Sequence, residues 1–381
     1  MSDLLEIRNR IDAIDGQILD LFKERMSCAA EVAEYKRGTG KPVYDAARER
    51  DNIQRAAERA GAGLEHYAAV LESLLMEASR DAQYRRLGKS SAAATTVAAA
   101  LASQPPYFPE RAFVACQGVE GAYQQLAVDR LFKRANIAYF ETFDAVFSAV
   151  ERGIVKFGVL PIENSTAGSV NHVFDLMMQH DFHIVRTCRL KIDHNLLAKP
   201  GQRKEDVHII YSHQQAISQC ADYISTFPDV RVHVTENTAM AARMVAESDR
   251  DDVAALASAA CADLYGLEVL ERSVQDLQNN YTRFACISRD LTIYPGADRS
   301  TLMIETKHEP GALYKVLARF YALDINLVKL ESRPIPEREF DFMFYFDVDC
   351  PAAAPEFQTL MNSLSDVCEE FRYLGSYTEV L

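Results

Sequence analysis

Counting alternately three and four residues onward from Arg8 picks out Arg8, Ile11, Asp15, Ile18, Phe22, Arg25, Ala29, Val32 and Lys36. The seam has a period of about 3.5 and no proline breaks it, so this stretch predicts one very long amphipathic helix. Such a helix has no core of its own and must find partners along its seam. Yet Arg8, Asp15, Arg25 and Lys36 stand where a coiled coil places apolar side chains. One long cation there would snorkel to the rim; three predict an anion site. At about 1.5 Å of rise per residue, Arg8 and Arg25 are roughly 25 Å apart, and Arg25 and Lys36 roughly 17 Å. The second pair can bracket one small ligand. Arg8 cannot join them, so it is expected to serve a second subunit's site. That predicts a homodimer, or a higher even-numbered homo-oligomer, with sites built from both chains.

Breaks near Gly38–Pro42 and Gly61–Gly63 divide residues 4–87 into three helices. In the second, Asp45, Arg48 and Glu49 are spaced i, i+3, i+4 and share a face; in the third, Ser79 and Gln83 do so at i, i+4. Each set alone also fits an ordinary solvated face. Together, in type and spacing, these positions resemble the all-helical chorismate mutase family. The resemblance implies a pocket lined by Arg25, Lys36, Asp45, Arg48, Glu49, Ser79 and Gln83, with Arg8 supplied by the partner chain. The implied reaction, chorismate to prephenate, is a unimolecular rearrangement without nucleophile, metal or cofactor. Arg8 and Arg25 would hold the carboxylates, Lys36 and Gln83 would donate to the ether oxygen, and Glu49 would meet a hydroxyl. Preorganised donors of this kind contribute on the order of 3 kcal/mol each.

Residues 88–108 hold Gly88, a Ser/Thr/Ala run and Pro105-Pro106 without apolar period, and read as a linker. Beyond them, apolar runs at 112–116, 137–140, 157–162, 207–211, 230–234 and 253–257 alternate with helix-like segments, the pattern of an α/β region with a mainly parallel sheet. Polar loops follow several of these runs. In "GVEGAYQQLA", Gly118 and Gly121 would let backbone approach a ligand, but no nucleotide motif is present. "ENSTAGSV" lays out Glu163, Asn164, Ser165 and Thr166, more than one helix cap needs. "YSHQQ" offers Ser212, His213 and Gln215, and "NNYTRF" offers Asn279, Asn280, Thr282 and Arg283. Such loops gather in a crevice at strand ends, predicting a polar cleft with few charged bases.

"PIENSTAGSV" and "TRF" resemble prephenate dehydratase, and the likeness runs from about 110 to 290. It implies two α/β lobes like a periplasmic binding protein, and loss of water and carbon dioxide from prephenate to give phenylpyruvate. Thr282 would help the ring hydroxyl leave, with Glu163 as the rival acid. Asn164, Ser165, Thr166, Gln215 and Phe284 would orient substrate. Arg283 would pair with a carboxylate or else sit in a structural ion pair. The family's His-Pro-Gln is His213-Gln214-Gln215 here, so the local turn differs.

From Ser300 the order becomes "TLMIETK", a helix from Pro310, "NLVKLESR", "FDFMFYFDVD", a helix from Pro355 and a strand near 371–380. That βαββαβ order describes a small α+β ferredoxin-like domain. Its "HEPGALYKVLARF" and "ESRP" resemble the phenylalanine-binding signature of ACT domains. The resemblance implies L-phenylalanine bound between two such domains by Gly311, Ala312, Leu313, Glu331, Ser332 and Arg333.

The expected organisation is a helical domain at 1–87, a linker at 88–108, a dehydratase domain at 109–291 and a regulatory domain at 299–381. The expected function is conversion of chorismate through prephenate to phenylpyruvate, feedback-inhibited by phenylalanine. One rival is a mutase fused to an NAD-dependent dehydrogenase, against which the missing dinucleotide glycine motif speaks. Another is a mutase fused to an amino-acid sensor without dehydratase chemistry. A net charge of −14 disfavours nucleic acid and anionic membrane as partners. Eight dispersed cysteines disfavour zinc and disulfides and fit a cytoplasmic protein. The start lacks a signal-peptide core, and the Ala-rich stretch is too short and polar to span a bilayer.

Overall fold

The computed structural model describes residues 3–88, 90–336, 338, 341–364 and 367–381. The chain opens with helices α1 (Leu4–Thr39), α2 (Ala46–Ala60), α3 (Glu65–Leu87) and α4 (Ala92–Ala102). An α/β run follows: β1 (Arg111–Gln117), α5 (Tyr123–Leu131), β2 (Arg134–Phe140), α6 (Phe143–Glu151), β3 (Phe157–Asn164), β4 (Gly168–Ser169), α7 (Asn171–Gln179) and β5 (His183–Lys191). It continues with β6 (Asn195–Ala198), β7 (Ile209–His213), α8 (Gln214–Gln219), α9 (Ala221–Ile224), β8 (Arg231–Thr235), α10 (Thr238–Glu247), β9 (Val253–Ala257), α11 (Ala260–Tyr265), β10 (Glu268–Glu271) and β11 (Tyr281–Ser288). Last come β12 (Arg299–Thr306), α12 (Ala312–Ala322), β13 (Asn326–Pro334), β14 (Phe342–Asp349), α13 (Pro355–Leu364), β15 (Cys368–Tyr377) and β16 (Glu379–Val380). Phe340, read from sequence as the start of a strand, and Lys89 of the expected linker lie outside the described residues.

Two compact units result, one of Met1–Ala98, Gly311–Leu323 and Pro355–Cys368, the other of the remaining segments. In the first, α1 and α2 both pack on α3. Gly40, at φ 69°, ends α1 in the left-handed conformation, its N–H bonded to the Lys36 carbonyl. Asp45 caps α2 by accepting from the Arg48 N–H at 3.2 Å. Along α1 only Ala29 and Ala33 are buried. Ile11 and Ile18 of the seam remain 51% and 54% exposed, so its leading half has no cover among the described residues.

The expected linker is largely a helix. α4 needs no apolar period, because alanine, the best helix former, fills most of it. Ser91 caps α4 by accepting from the Ala94 N–H at 3.1 Å, while its hydroxyl donates to the Met361 carbonyl at 2.9 Å. α12 and α13 pack together, and α13 packs on α3.

In the second unit a seven-stranded sheet has the order β16-β5-β11-β3-β1-β2, with β4 paired to β3. A five-stranded sheet has the order β10-β6-β9-β7-β8. Neither is mainly parallel. β11 is antiparallel to β3 and β5, and β6 is antiparallel to β9 and β10. β11 is buried along nearly its whole length and so carries no alternation to reveal its direction. A four-stranded sheet has the order β13-β14-β12-β15, which is the βαββαβ order expected.

That small sheet shares a core with the seven-stranded one: Met303, Met343, Tyr345, Leu374 and Tyr377 pack with Phe174, Met177 and Ile184. The Tyr345 hydroxyl donates to the Phe174 carbonyl at 2.7 Å. Gly375, at φ 136°, brings β15 so close to β5 that a Cβ there would stand 2.2 Å from the Ile184 carbonyl oxygen. β16 then runs parallel to β5, pairing Glu379 with Thr187 and Val380 with Cys188.

Candidate active sites

The three long helices enclose a cavity of about 710 Å³ lined by Arg25, Lys36, Asp45, Arg48, Glu49, Ser79 and Gln83. These seven are the residues the helical pattern singled out. Lys36 Nζ donates to the Val43 carbonyl at 2.7 Å and to Gln83 Oε1 at 3.1 Å. With its oxygen turned to Lys36, the Gln83 amide keeps its NH₂ for a ligand. Burial pulls the Lys36 pKa below the ordinary lysine value, and the Asp45 carboxylate resists that shift. Arg25 donates to the Leu75 carbonyl at 2.6 Å and to Ser79 Oγ. Arg80 and Tyr44 are among the lining residues that were not anticipated. Arg80 is buried and ion-paired with Glu49, and its guanidinium lies over the Tyr44 ring at 5.4 Å. Arg80 sits off the α1 seam and looks like one more charge in "ASRDAQYRR", so nothing in the sequence marked it. Arg8 does not line this cavity. It lies on the exposed leading half of α1, as a 25 Å separation from Arg25 requires.

A second cavity, about 400 Å³, opens between the two larger sheets. Asn164, Gln215, Thr282 and Phe284 of the expected residues line it. β3 delivers Asn164 by an irregularity. Phe284 pairs with Pro161 but Arg283 with Glu163, so Ile162 is an extra residue bulging beside the proline. Proline has no N–H to give a ladder, and the pairing to β1 stops at Val159.

The Asn164 amide is fully assigned by its neighbours. Its Oδ1 accepts from the backbone N–H of Thr166 at 3.1 Å and of Ala167 at 2.9 Å. Backbone N–H groups can only donate, so Nδ2 must face the other way. There it donates to Asn280 Oδ1 at 2.8 Å and to Thr282 Oγ1 at 2.9 Å. The Thr282 oxygen is thereby an acceptor, and its hydroxyl proton is left to point elsewhere. Four helices, α5, α7, α8 and α10, begin at the cavity with Tyr123, Val170, His213 and Asn237 at or beside their first turns. Among the described lining residues there is no lysine or arginine, so helix-start N–H groups are the source of positive potential.

Ala167, Gly168, Ser169 and Val170 of "ENSTAGSV" also line the cavity, but Glu163, Ser165 and Thr166 do not. Ser165 binds the loop to β11, donating to the Asn279 carbonyl and accepting from the Tyr281 N–H, each at 2.9 Å. Thr166 bonds Asn164 Oδ1 at 2.7 Å and Gln219 Nε2 at 2.9 Å, and lines a neighbouring cavity. None of them caps α7, whose cap position is Val170 without a side-chain bond. Glu163 and Arg283 do not enter the cleft, because each precedes or follows a lining residue on a pleated strand and points to the opposite face. Glu163 is ion-paired with Lys329 at 2.8 Å. Arg283 is buried against Asp347 at 2.5 Å and Glu379 at 3.0 Å, so of its two readings the structural ion pair is the one formed. Burial would lower its pKa, but Tyr377, Asp347 and Glu379 outweigh that and raise it.

Ser212 is likewise buried, donating to the Leu256 carbonyl at 2.7 Å. His213 caps α8, accepting from the Gln215 N–H at 3.3 Å, and so forms the turn without a proline. Gly121 approaches α11, where a Cβ would meet Leu264 and Cys261, rather than a ligand.

The chorismate mutase type II family matches residues 7–84, and the prephenate dehydratase family matches residues 114–292. The bifunctional chorismate mutase/prephenate dehydratase of Enterobacter agglomerans is 32% identical over 98% of this chain and 95% of its own. The chain belongs to the bifunctional chorismate mutase/prephenate dehydratase family. Arogenate dehydratase/prephenate dehydratase 2 of Arabidopsis thaliana is 37% identical over 70% of this chain and 73% of its own. The solved prephenate dehydratase of Arthrobacter aurescens, in complex with L-Phe, is 27% identical with a TM-score of 0.65, covering 70% of this chain and 89% of that one. The α1–α3 cavity thus lies within the mutase match and is called the mutase cavity below, and the cleft between the sheets lies within the dehydratase match and is called the dehydratase cleft.

The residues expected to bind the effector are divided between the two units. Gly311, at φ 80°, caps α12, and Ala312 and Leu313 begin that helix. On β13, Glu331 accepts from the Ser169 hydroxyl and Arg333 holds Asp175 through two bonds of 2.8 and 2.9 Å. Ser332, between them, is exposed. The residues of the dehydratase cleft that went unmarked in the sequence include Gln124, His194, Gln219 and Asn237. His194 stands between Asp193 and Asn195, and Gln219 follows Ser218, so neither stands out from its polar neighbours in the sequence. Among the described residues no His/Cys/Asp/Glu group is placed to hold a metal, and no helix is long and apolar enough to cross a membrane.

Proposed function

We propose that the mutase cavity holds chorismate between Arg25, Arg48 and an Arg8 from a second chain, with Lys36 and Gln83 donating to the breaking ether oxygen. The dehydratase cleft then takes prephenate. As the ring carboxylate leaves as carbon dioxide, its bonding electrons enter the ring and the hydroxyl departs as water. Thr282 delivers the proton to that hydroxyl, and Asn164 and Gln215 position the substrate. What carries this reading is the fixed Asn164 amide, which leaves Thr282 its proton. Two α/β lobes around a cleft suit a periplasmic-binding-protein-like closure. The βαββαβ region is read as an ACT domain that binds L-phenylalanine and inhibits turnover, as the L-Phe complex of the Arthrobacter relative suggests. Domains at 1–87, 109–291 and 299–381, joined through the segment 88–108, act in an even-numbered oligomer. The eight cysteines, none of them in a disulfide among the described residues, support a reducing, cytoplasmic setting.

The test is to mix the purified chain with chorismate, with and without NAD, and follow products by ultraviolet absorbance. Phenylpyruvate without NAD is expected. Hydroxyphenylpyruvate formed only with NAD, or prephenate accumulating untouched, would overturn the dehydratase assignment.

A further inference from the structure

We propose that His194 is a specificity-determining residue of the dehydratase cleft, its Nδ1 being the fixed acceptor for the hydroxyl that the substrate loses as water. The proposal rests on the prephenate reading above. His194 lies between β5 and β6, lines the cleft and is 3% exposed. The residue is held on several sides. The His194 backbone N–H donates to Gln275 Oε1 at 2.9 Å, Tyr123 stands edge-on to the ring at 6.0 Å between ring centres, and the ring Nε2 lies 3.0 Å from Gln219 Oε1.

The tautomer follows from two backbone amides. The N–H groups of Thr166 and Ala167 fix Asn164 Oδ1, so Asn164 Nδ2 donates to Asn280 Oδ1. Asn280 must then present Nδ2 to Gln219, at 2.8 Å, which makes that Gln219 atom an oxygen. An oxygen accepts, so His194 carries its proton on Nε2. Nδ1 is left with a lone pair, buried and without any hydrogen-bond partner. A buried acceptor without a partner is costly, and the residue that carries this one lines a cavity that a substrate enters and leaves.

The network therefore ends in two unused groups of opposite character, the Thr282 O–H donor and the His194 Nδ1 acceptor. Prephenate's carboxylates and ketone only accept. Its ring hydroxyl alone can donate, and as it leaves it must also gain a proton. The carbon–oxygen bond breaks with its electron pair on oxygen, while the carboxylate's carbon–carbon pair enters the ring. The oxygen takes one proton through Thr282, replaced from solvent, and departs as water, keeping its original proton, which is hydrogen-bonded to His194 Nδ1 throughout.

The test uses three variants of the full chain, with mutase activity reporting that each is folded. Glutamine places its amide where Nε2 was, keeping the bond to Gln219 but nothing at Nδ1. Asparagine places its amide where Nδ1 was, keeping an acceptor and losing the Gln219 bond. His194→Asn is expected to hold kcat/KM for prephenate within a few-fold, and His194→Gln and His194→Phe to lose on the order of tenfold or more. The reverse order would make His194 only a brace for Gln219 and overturn the proposal, as would equal values in all three.

A pH profile adds an independent readout. Burial holds the His194 pKa below its ordinary value, against the Gln219 bond and Asp193, with His213 adding to the depression. Asp193 is itself engaged by Lys191 at 2.9 Å and Gln275 at 2.8 Å, and Glu236 lines the same cavity. The wild type should lose kcat/KM as pH falls through that depressed pKa, and His194→Asn should not. A wild type that leaves prephenate untouched would sink the dehydratase reading itself; an active wild type with an unimpaired His194→Gln would sink only the role of His194.

Discussion

Asn164 decides the polarity of the cleft because its own orientation is not free. Asn164→Asp keeps the shape but gives Thr282 an acceptor in place of a donor, so the threonine proton turns inward. Dehydratase kcat should fall by about a hundredfold, with mutase activity unchanged; steady-state assays of both reactions on one preparation check this. Lys36 makes the converse case in the other cavity. Its working form is the cation, and burial lowers its pKa. The mutase rate should therefore decline on the alkaline side before the ordinary lysine value of about 10.5 is reached, while dehydratase activity shows no such limb. Lys36 was legible because it breaks a local rule, a charge on a seam that calls for apolar groups; Asn164 and Thr282 were legible because polar residues crowd the loops beside apolar strands, and Gln83 through the chorismate mutase resemblance. His194 breaks none and needed three-dimensional neighbours to acquire meaning.

Strands and helices were read with uneven success for reasons of geometry. The three long helices follow directly from periodicity and from glycine breaks. α4 did not, since an alanine run has no period to detect. Glu163 and Arg283 were grouped with their cleft neighbours because sequence proximity hides the pleat, which sends alternate side chains to opposite faces. The direction of β11 was hidden by its uniform burial. The close approach of β15 to β5 at Ile184 depends on Gly375. Gly375→Ala would drive a Cβ onto the Ile184 carbonyl at a backbone angle that favours glycine. A loss of about 3 kcal/mol or more is expected, measured as a lower urea midpoint for the dehydratase signal.

For the molecule as a whole, the bare seam of α1 is the strongest argument for assembly. Ile11→Glu with Ile18→Glu should yield monomers by sedimentation and remove most mutase activity, since Arg8 could no longer reach a neighbouring site. Acid should weaken the fold. His183, His194 and His213 all have pKa values lowered by burial. The unfolded chain therefore binds more protons between the ordinary value near 6.5 and each lowered one. Stability should fall as pH drops from about 7 towards 5, read as a decreasing thermal midpoint.

The pairing of residues 379 and 380 with β5 has a temporal side. A ribosome makes the mutase helices first, and they can close on one another at once. The sheet that bears Thr282 stays open along β5 until synthesis has passed through everything after β11, so the second activity should ripen only after the first.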